Sequence, residues 1–241
     1  MQVRVFHTEE QVGMAAATLI GARILQEPGC VLGLATGSSP IPTYRQLIRM
    51  HREGVLDFSQ VTSFNLDEYV GIPETHPCSY HAFMRQYLFD QININPASIH
   101  IPDGNAPALE KAANAYDAAI AEAGGIDVQL LGIGRNGHIG FNEPGEQFVY
   151  GCHVVELKQS TIDANARFFA SEDDVPRRAV SMGIGSIMNA KQVLLIATGE
   201  DKADAVRRSL REDVAPHVQA SILRTHPDVI FLLDDAAASQ L

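Results

Sequence analysis

The chain has 241 residues, 46% hydrophobic and 20% charged, a balance that excludes a disordered or low-complexity protein and fits a globular domain of enzyme size. Its formal net charge is −11, and its 18 Lys and Arg are scattered without a run. That excludes a nucleic-acid or anionic-membrane surface, so any anionic ligand must be held locally.

In chain order, residues 2–6 read as a strand and 8–26 as a helix. A strand over 30–35 leads into a helix over 40–53. A strand over 62–66 precedes helices over 79–91 and 106–122. Strands follow over 128–131 and 154–157. A strand over 192–198 runs into a helix over 201–210, and a short helix over 220–224 precedes a last strand over 229–233. Short apolar runs alternating with amphipathic segments are the βαβ pattern of a doubly wound, mainly parallel α/β sheet with helices on both faces. No linker or shift in composition divides the chain, so residues 1–241 are expected to form a single domain. The opening segment lacks the apolar core of a signal peptide, and no later segment reaches membrane-spanning length without Gly, Pro or charge, so a cytoplasmic protein is expected. Cys30, Cys78 and Cys152 have no ligand spacing, which leaves neither a structural zinc site nor a disulfide framework.

In such folds ligands bind beyond the carboxyl ends of the strands, and four loops there are rich in functional groups. In Leu34-Ala35-Thr36-Gly37-Ser38-Ser39-Pro40 a strand runs into a helix opened by proline. Free N–H groups at the helix start, with the Thr36, Ser38 and Ser39 hydroxyls, make a phosphate cradle; the alternative is an N-cap by Ser39 that needs no ligand. In Phe64-Asn65-Leu66-Asp67-Glu68-Tyr69 a strand ends in two adjacent carboxylates. Neighbours on extended backbone point oppositely, so one faces a cleft while the other turns to the protein or the surface. A carboxylate in a partly dry cleft suits proton abstraction beside a carbonyl, worth roughly 10²–10⁴-fold. A surface charge pair is the alternative.

The third loop, Gly132 to Gly145, contains a formal GxGxxG. A dinucleotide site needs a helix opening directly after those glycines, which Gly140, Pro144 and Gly145 prevent. What remains is a loop that brings Asn136, His138 and Glu143 together, with histidine suited to proton traffic near neutral pH. A histidine bonded for structural reasons is the alternative. The fourth loop, Ala197-Thr198-Gly199-Glu200-Asp201-Lys202, places Lys202 in the first turn of a helix. A cation there opposes the macrodipole by roughly 0.3–1 kcal/mol, a conflict that a bound phosphate turns into attraction. Pairing with Glu200 or Asp201 is the alternative.

FNLDEYVG, HPCSYHAFM, GIGRNGHIGFNEPG, NARFF, SMGIGSIMNA and ATGEDKA together, in this order along nearly the whole chain, resemble the glucosamine-6-phosphate deaminase/isomerase family. The resemblance implies a single Rossmann-like domain, a small-molecule sugar-phosphate substrate in amino-sugar (N-acetylglucosamine) catabolism, and neither a metal nor a redox cofactor. By motif, Asp67 resembles the base that moves a proton between C2 and C1, with Glu68 beside it. His138 resembles the ring-opening acid/base, and Glu143 the carboxylate that orients and polarises it. Asn136 stands where hexameric bacterial members carry Asp, so it is expected to orient His138 by hydrogen bonding rather than by charge. Phosphate binding falls to Thr36, Gly37, Ser38 and Ser39, with cations from Arg167 and Lys202.

Residues 145–156 lack the basic groups of the hexameric members' allosteric pocket, and the chain stops soon after Asp234 and Asp235. An unregulated monomer is therefore expected, with a homo-oligomer as the alternative. The related 6-phosphogluconolactonases share a Gly-Asp/Asn-Gly-His loop but have no need of the FNEP carboxylate.

Overall fold

In the computed structural model, which describes residues 1–241, the chain opens with β1 (Gln2–Phe6), α1 (Glu9–Gln26), β2 (Val31–Leu34), α2 (Ile41–Arg52) and β3 (Thr62–Asn65). Next come β4 (Asp67–Tyr69), α3 (Tyr80–Tyr87), β5 (Ile99–His100), α4 (Leu109–Glu122) and β6 (Val128–Leu131). The remainder is β7 (His153–Glu156), α5 (Gln159–Asn165), β8 (Arg178–Ser181), α6 (Ile184–Met188), β9 (Gln192–Ala197), α7 (Ala203–Arg211) and β10 (Val229–Asp234).

Seven strands form one sheet in the order β1-β10-β9-β6-β2-β3-β5, every pair parallel. Strands β2, β6 and β10 are buried along their whole length, and β9 is buried beyond its first residue, as continuous apolar runs in a sheet covered on both faces require. One face packs Phe64, Leu131, Leu195 and Phe231 against α4 and the α7 side. The other packs Leu32, Leu130 and Leu232 against Ile20 of α1 and Leu47 of α2.

The strand order reverses between β2 and β6: β3 and β5 extend from β2, whereas β9 and β10 extend from β6. A crevice opens at the carboxyl ends of strands where such an order reverses. The loops holding Thr36 and His138 therefore start side by side.

Two expectations are corrected. The strand expected over 154–157 forms, as β7, but outside the parallel sheet: it pairs antiparallel with β8, which pairs antiparallel with β4. The short segment over 219–225 is a 3-10 helix rather than an α-helix. The small β4-β8-β7 sheet rests on its own cluster of Tyr69, Phe141, Leu157, Ile162, Val175 and Ala179. Strand β4 is only Asp67-Glu68-Tyr69, and two buried carboxylates in three residues give no apolar alternation to read.

Candidate active site

The loops after β2, β6 and β9, the start of β4 and the segment after α5 enclose a cavity of about 830 Å³. Every residue expected to act lines it except Glu143, which lies directly behind His138.

The side expected to take a phosphate begins with Gly37, whose φ of 93° is open to glycine but strained for any residue with a Cβ. Pro40 precedes α2, and no side chain caps that helix; no acid stands in its first turn. By contrast Thr8 caps α1 and Ser79 caps α3. Of the two possibilities left by the sequence, the Ser39 cap is absent. Ile41 N–H donates to the Ser38 carbonyl at 3.2 Å and Tyr44 N–H to the Pro40 carbonyl at 3.0 Å, so the N–H groups open to an anion include those of Gly37, Ser38 and Ser39 in the loop itself, beside the Thr36, Ser38 and Ser39 hydroxyls.

Lys202 ends a 3-10 turn, Glu200–Lys202, that precedes α7, rather than sitting inside the α-helix. That turn is anchored by Asp234, whose carboxylate accepts the Gly199 N–H at 3.0–3.1 Å and the Ala237 N–H at 2.7 Å. Burial holds the Lys202 pKa below its ordinary value; Asp201 pulls the other way, and Arg135 and Arg167 add to the depression. Three cations therefore gather on one wall. Arg167 lies in the 3-10 turn Ala166–Phe168, its guanidinium 4.7 Å from the centre of the Phe168 ring.

Asp67 is 6% exposed, and its carboxylate accepts no hydrogen bond from the protein. Burial, and then the charge of Glu68, push its pKa up to about 8. Glu68 points the opposite way, as strand alternation requires. Its carboxylate accepts the N–H groups of Tyr69, Tyr80 and His81 and pairs with His81 Nδ1 at 2.9 Å, filling the start of α3.

In the loop after β6, Gly134 donates to the His138 carbonyl and Gly137 to the Gly134 carbonyl, both at 2.9 Å, and no helix follows the glycines. A Cβ at position 134 would collide with the His138 imidazole, so this turn needs glycine there. His138 Nδ1 lies 3.5 Å from Glu143 Oε2, within ion-pair reach but not hydrogen-bonded, so the buried Nδ1 has no hydrogen-bond partner in the chain. Asn136 acts differently from expectation. Its amide Nδ2 donates to Glu143 Oε2 at 2.8 Å, and its Oδ1 accepts the His138 backbone N–H at 3.1 Å. It thus aims the carboxylate and fixes the turn rather than bonding the ring. Burial raises the Glu143 pKa, but the neighbouring His138 imidazole, with help from Thr161 and Asn136, outweighs it and holds the carboxyl below its ordinary value.

Sequence reasoning passed over Arg135, Asp234 and Ser181. Arg135 stood unassigned within GIGRNGH, whereas Asp234 and Ser181 gave no local signal because their work is to hold backbone from other loops. Ser181 Oγ accepts the Phe141 N–H at 3.0 Å and sits opposite Asp67 in the β4–β8 pair. No group of three or more His, Cys, Asp or Glu is arranged to hold a metal, and no helix is long and apolar enough to cross a membrane.

Residues 7–231 match the family of glucosamine-6-phosphate isomerases/6-phosphogluconolactonase. A glucosamine-6-phosphate deaminase of Clostridioides difficile (strain 630) is 52% identical over 241 residues, all of this chain and 97% of the relative. One of Rhodopirellula baltica is also 52% identical, over all of this chain and 96% of its own. A solved monomeric glucosamine-6-phosphate deaminase superposes with a TM-score of 0.98 at 45% identity, each chain fully covered. The 6-phosphogluconolactonase of Trypanosoma brucei, 24% identical with a TM-score of 0.78 over all of this chain and 98% of that one, shares the fold. With the cavity built from the same motifs that carried the resemblance, this chain belongs to the glucosamine-6-phosphate isomerase/6-phosphogluconolactonase family.

Proposed function

We propose that this chain, as a single-domain monomer, converts glucosamine 6-phosphate and water into fructose 6-phosphate and ammonia. The observation that carries the assignment is the placement of Asp67, a buried carboxylate without a protein partner, across one cavity from the His138–Glu143 pair and a cluster of cations.

The phosphate dianion is held by the N–H groups and hydroxyls of residues 36–39, with Lys202 and Arg167 donating charge-assisted bonds. His138, its Nδ1 facing the Glu143 carboxylate, moves a proton between the C1 hydroxyl and the ring oxygen, which breaks the C1–O5 bond and exposes an aldehyde. Asp67 then removes the C2 proton while a proton passes from the C2 ammonium to the C1 oxygen, giving an enolamine, and Asp67 returns its proton to C1. The resulting C2 iminium adds water and expels ammonia, leaving the C2 ketone of fructose 6-phosphate. No step transfers a hydride or an electron, so the chemistry calls for no redox cofactor. An ammonium on C2 of the substrate lowers the pKa of Asp67 by charge and so favours the ionised base once the site is filled.

The test is to incubate purified protein with glucosamine 6-phosphate, chelator present and no nucleotide added, and to assay both products. Ammonia and fructose 6-phosphate in equal amounts establish the reaction. Release of neither, with hydrolysis of a 6-phosphogluconolactone instead, overturns it. Light scattering coupled to gel filtration tests the monomer.

A further inference from the structure

The tip of the loop after β6 holds a cation that the reaction above leaves unused. Arg135 lines the cavity, and its Nε donates to Asp201 Oδ2 at 2.8 Å. An exposed ion pair contributes little to stability, and the Arg135 side chain is 60% exposed. This pair, however, joins loops from the adjacent strands β6 and β9, and Asp201 immediately precedes Lys202. Arg135 is also close enough to Lys202 to depress its pKa, as Arg167 does. The bond to Asp201 occupies Nε alone. Nη1 and Nη2, the fork that matches phosphate geometry, are committed to no partner in the chain.

Asp201 is the one acid within ion-pair distance of Arg135. Asp234 is taken by the Gly199 and Ala237 N–H groups, and Asp163 accepts from Gln159 at 2.7 Å. Gathering a third cation beside a depressed lysine is electrostatically unfavourable in the empty protein, and an anion held among them reverses the sign.

We propose that Arg135 is a third phosphate-binding cation of this site. Asp201 fixes the guanidinium through Nε and leaves the Nη groups to donate to the substrate phosphate alongside Lys202 and Arg167. The assignment rests on the phosphate site described above. It deepens that site by separating a direct ligand from a mere counter-charge to Asp201.

The experiment is calorimetric titration of inorganic phosphate into the wild-type chain, Arg135→Met, Asp201→Asn and the double variant, with matched circular dichroism as the folding control. Loss of a partly exposed charge-assisted donor is expected to weaken phosphate binding about 5- to 20-fold in Arg135→Met. Asp201→Asn, which removes an opposing negative charge, is expected to tighten it. The double variant has the wild-type net charge but lacks the guanidinium, and it is expected to bind better than Arg135→Met yet stay about 3-fold or more weaker than the wild type, since direct donation is not restored by charge balance. Recovery of wild-type affinity in the double variant overturns the proposal, because Arg135 then only neutralises Asp201. Unchanged affinity in Arg135→Met overturns it as well. Failure of the wild-type chain itself to bind phosphate removes the phosphate site and the proposed substrate with it, an outcome distinct from loss in Arg135→Met alone.

Discussion

Replacing Asp67, the proposed base, by Asn isolates the electrostatic strain that the site stores in this carboxyl. The carboxyl has a pKa of about 8 in the folded protein against 3.8 for the free group, because burial and then Glu68 disfavour its charge. The folded state therefore keeps a proton that the unfolded chain has lost between those two values. A raised acid pKa contributes stability that is complete below pH 3.8 and lost as pH rises through about 8. Each pH unit within the window is worth about 1.4 kcal/mol, and integrating from pH 5 to pH 9 gives an upper limit of about 4 kcal/mol. Because the carboxyl opens on a cavity that water can enter, the expected loss is about 2–4 kcal/mol. Asp67→Asn removes it. Urea unfolding of both proteins without substrate at pH 5, 7 and 9 should show wild-type stability falling relative to the variant by that amount. Parallel pH dependences, or a wild type that gains on the variant as pH rises, would refute the reasoning.

The same raised pKa makes kcat/KM for glucosamine 6-phosphate rise with pH toward about 8 as the free enzyme's base ionises, an acid limb that a pH–rate profile reads directly. Glu143→Gln, which removes the charge facing His138 Nδ1, should lower kcat roughly 10²-fold with little change in KM, since the carboxylate acts on the acid/base rather than on the phosphate; equal loss in both parameters counts against that role. Gly134→Ala should abolish turnover while the protein still binds inorganic phosphate, because the new methyl displaces the His138 ring and leaves the first loop alone; an active variant would show that the imidazole sits elsewhere. Glu68→Ala should destabilise the fold by about 2–4 kcal/mol in urea melts, since it orphans the Tyr80 and His81 N–H groups at the start of α3.

Much of the frame was legible because its signals are local. Apolar runs such as those of β9 and β10 announce buried parallel strands, and the loops that follow them hold the functional groups. Gly140, Pro144 and Gly145 rightly ruled out a helix after the GxGxxG. Alternation along an extended chain was enough to say that Asp67 and Glu68 must part company, although which one faced the cavity came from the family resemblance rather than from the residues.

Tertiary structure decided whatever depends on partners remote in sequence. Strand β4 exists because Asp67-Glu68-Tyr69 finds β8 more than a hundred residues later, and no three-residue segment with two carboxylates declares that by itself. The segment 154–157 looked like any other apolar strand, and only the availability of β8 as an antiparallel neighbour took it out of the main sheet. Asn136 could be placed beside His138 from spacing alone, but the choice between the ring and Glu143 as its partner depends on how the turn closes through Gly134 and Gly137. Sequence by itself determined the layered fold and the inventory of reactive groups, because periodicity and turn chemistry are local properties of the chain. The burial that lifts the pKa of Asp67 and the arrival of Arg135 beside Arg167 and Lys202 belong to the tertiary structure alone, because desolvation and long-range charge are properties of position in the folded protein.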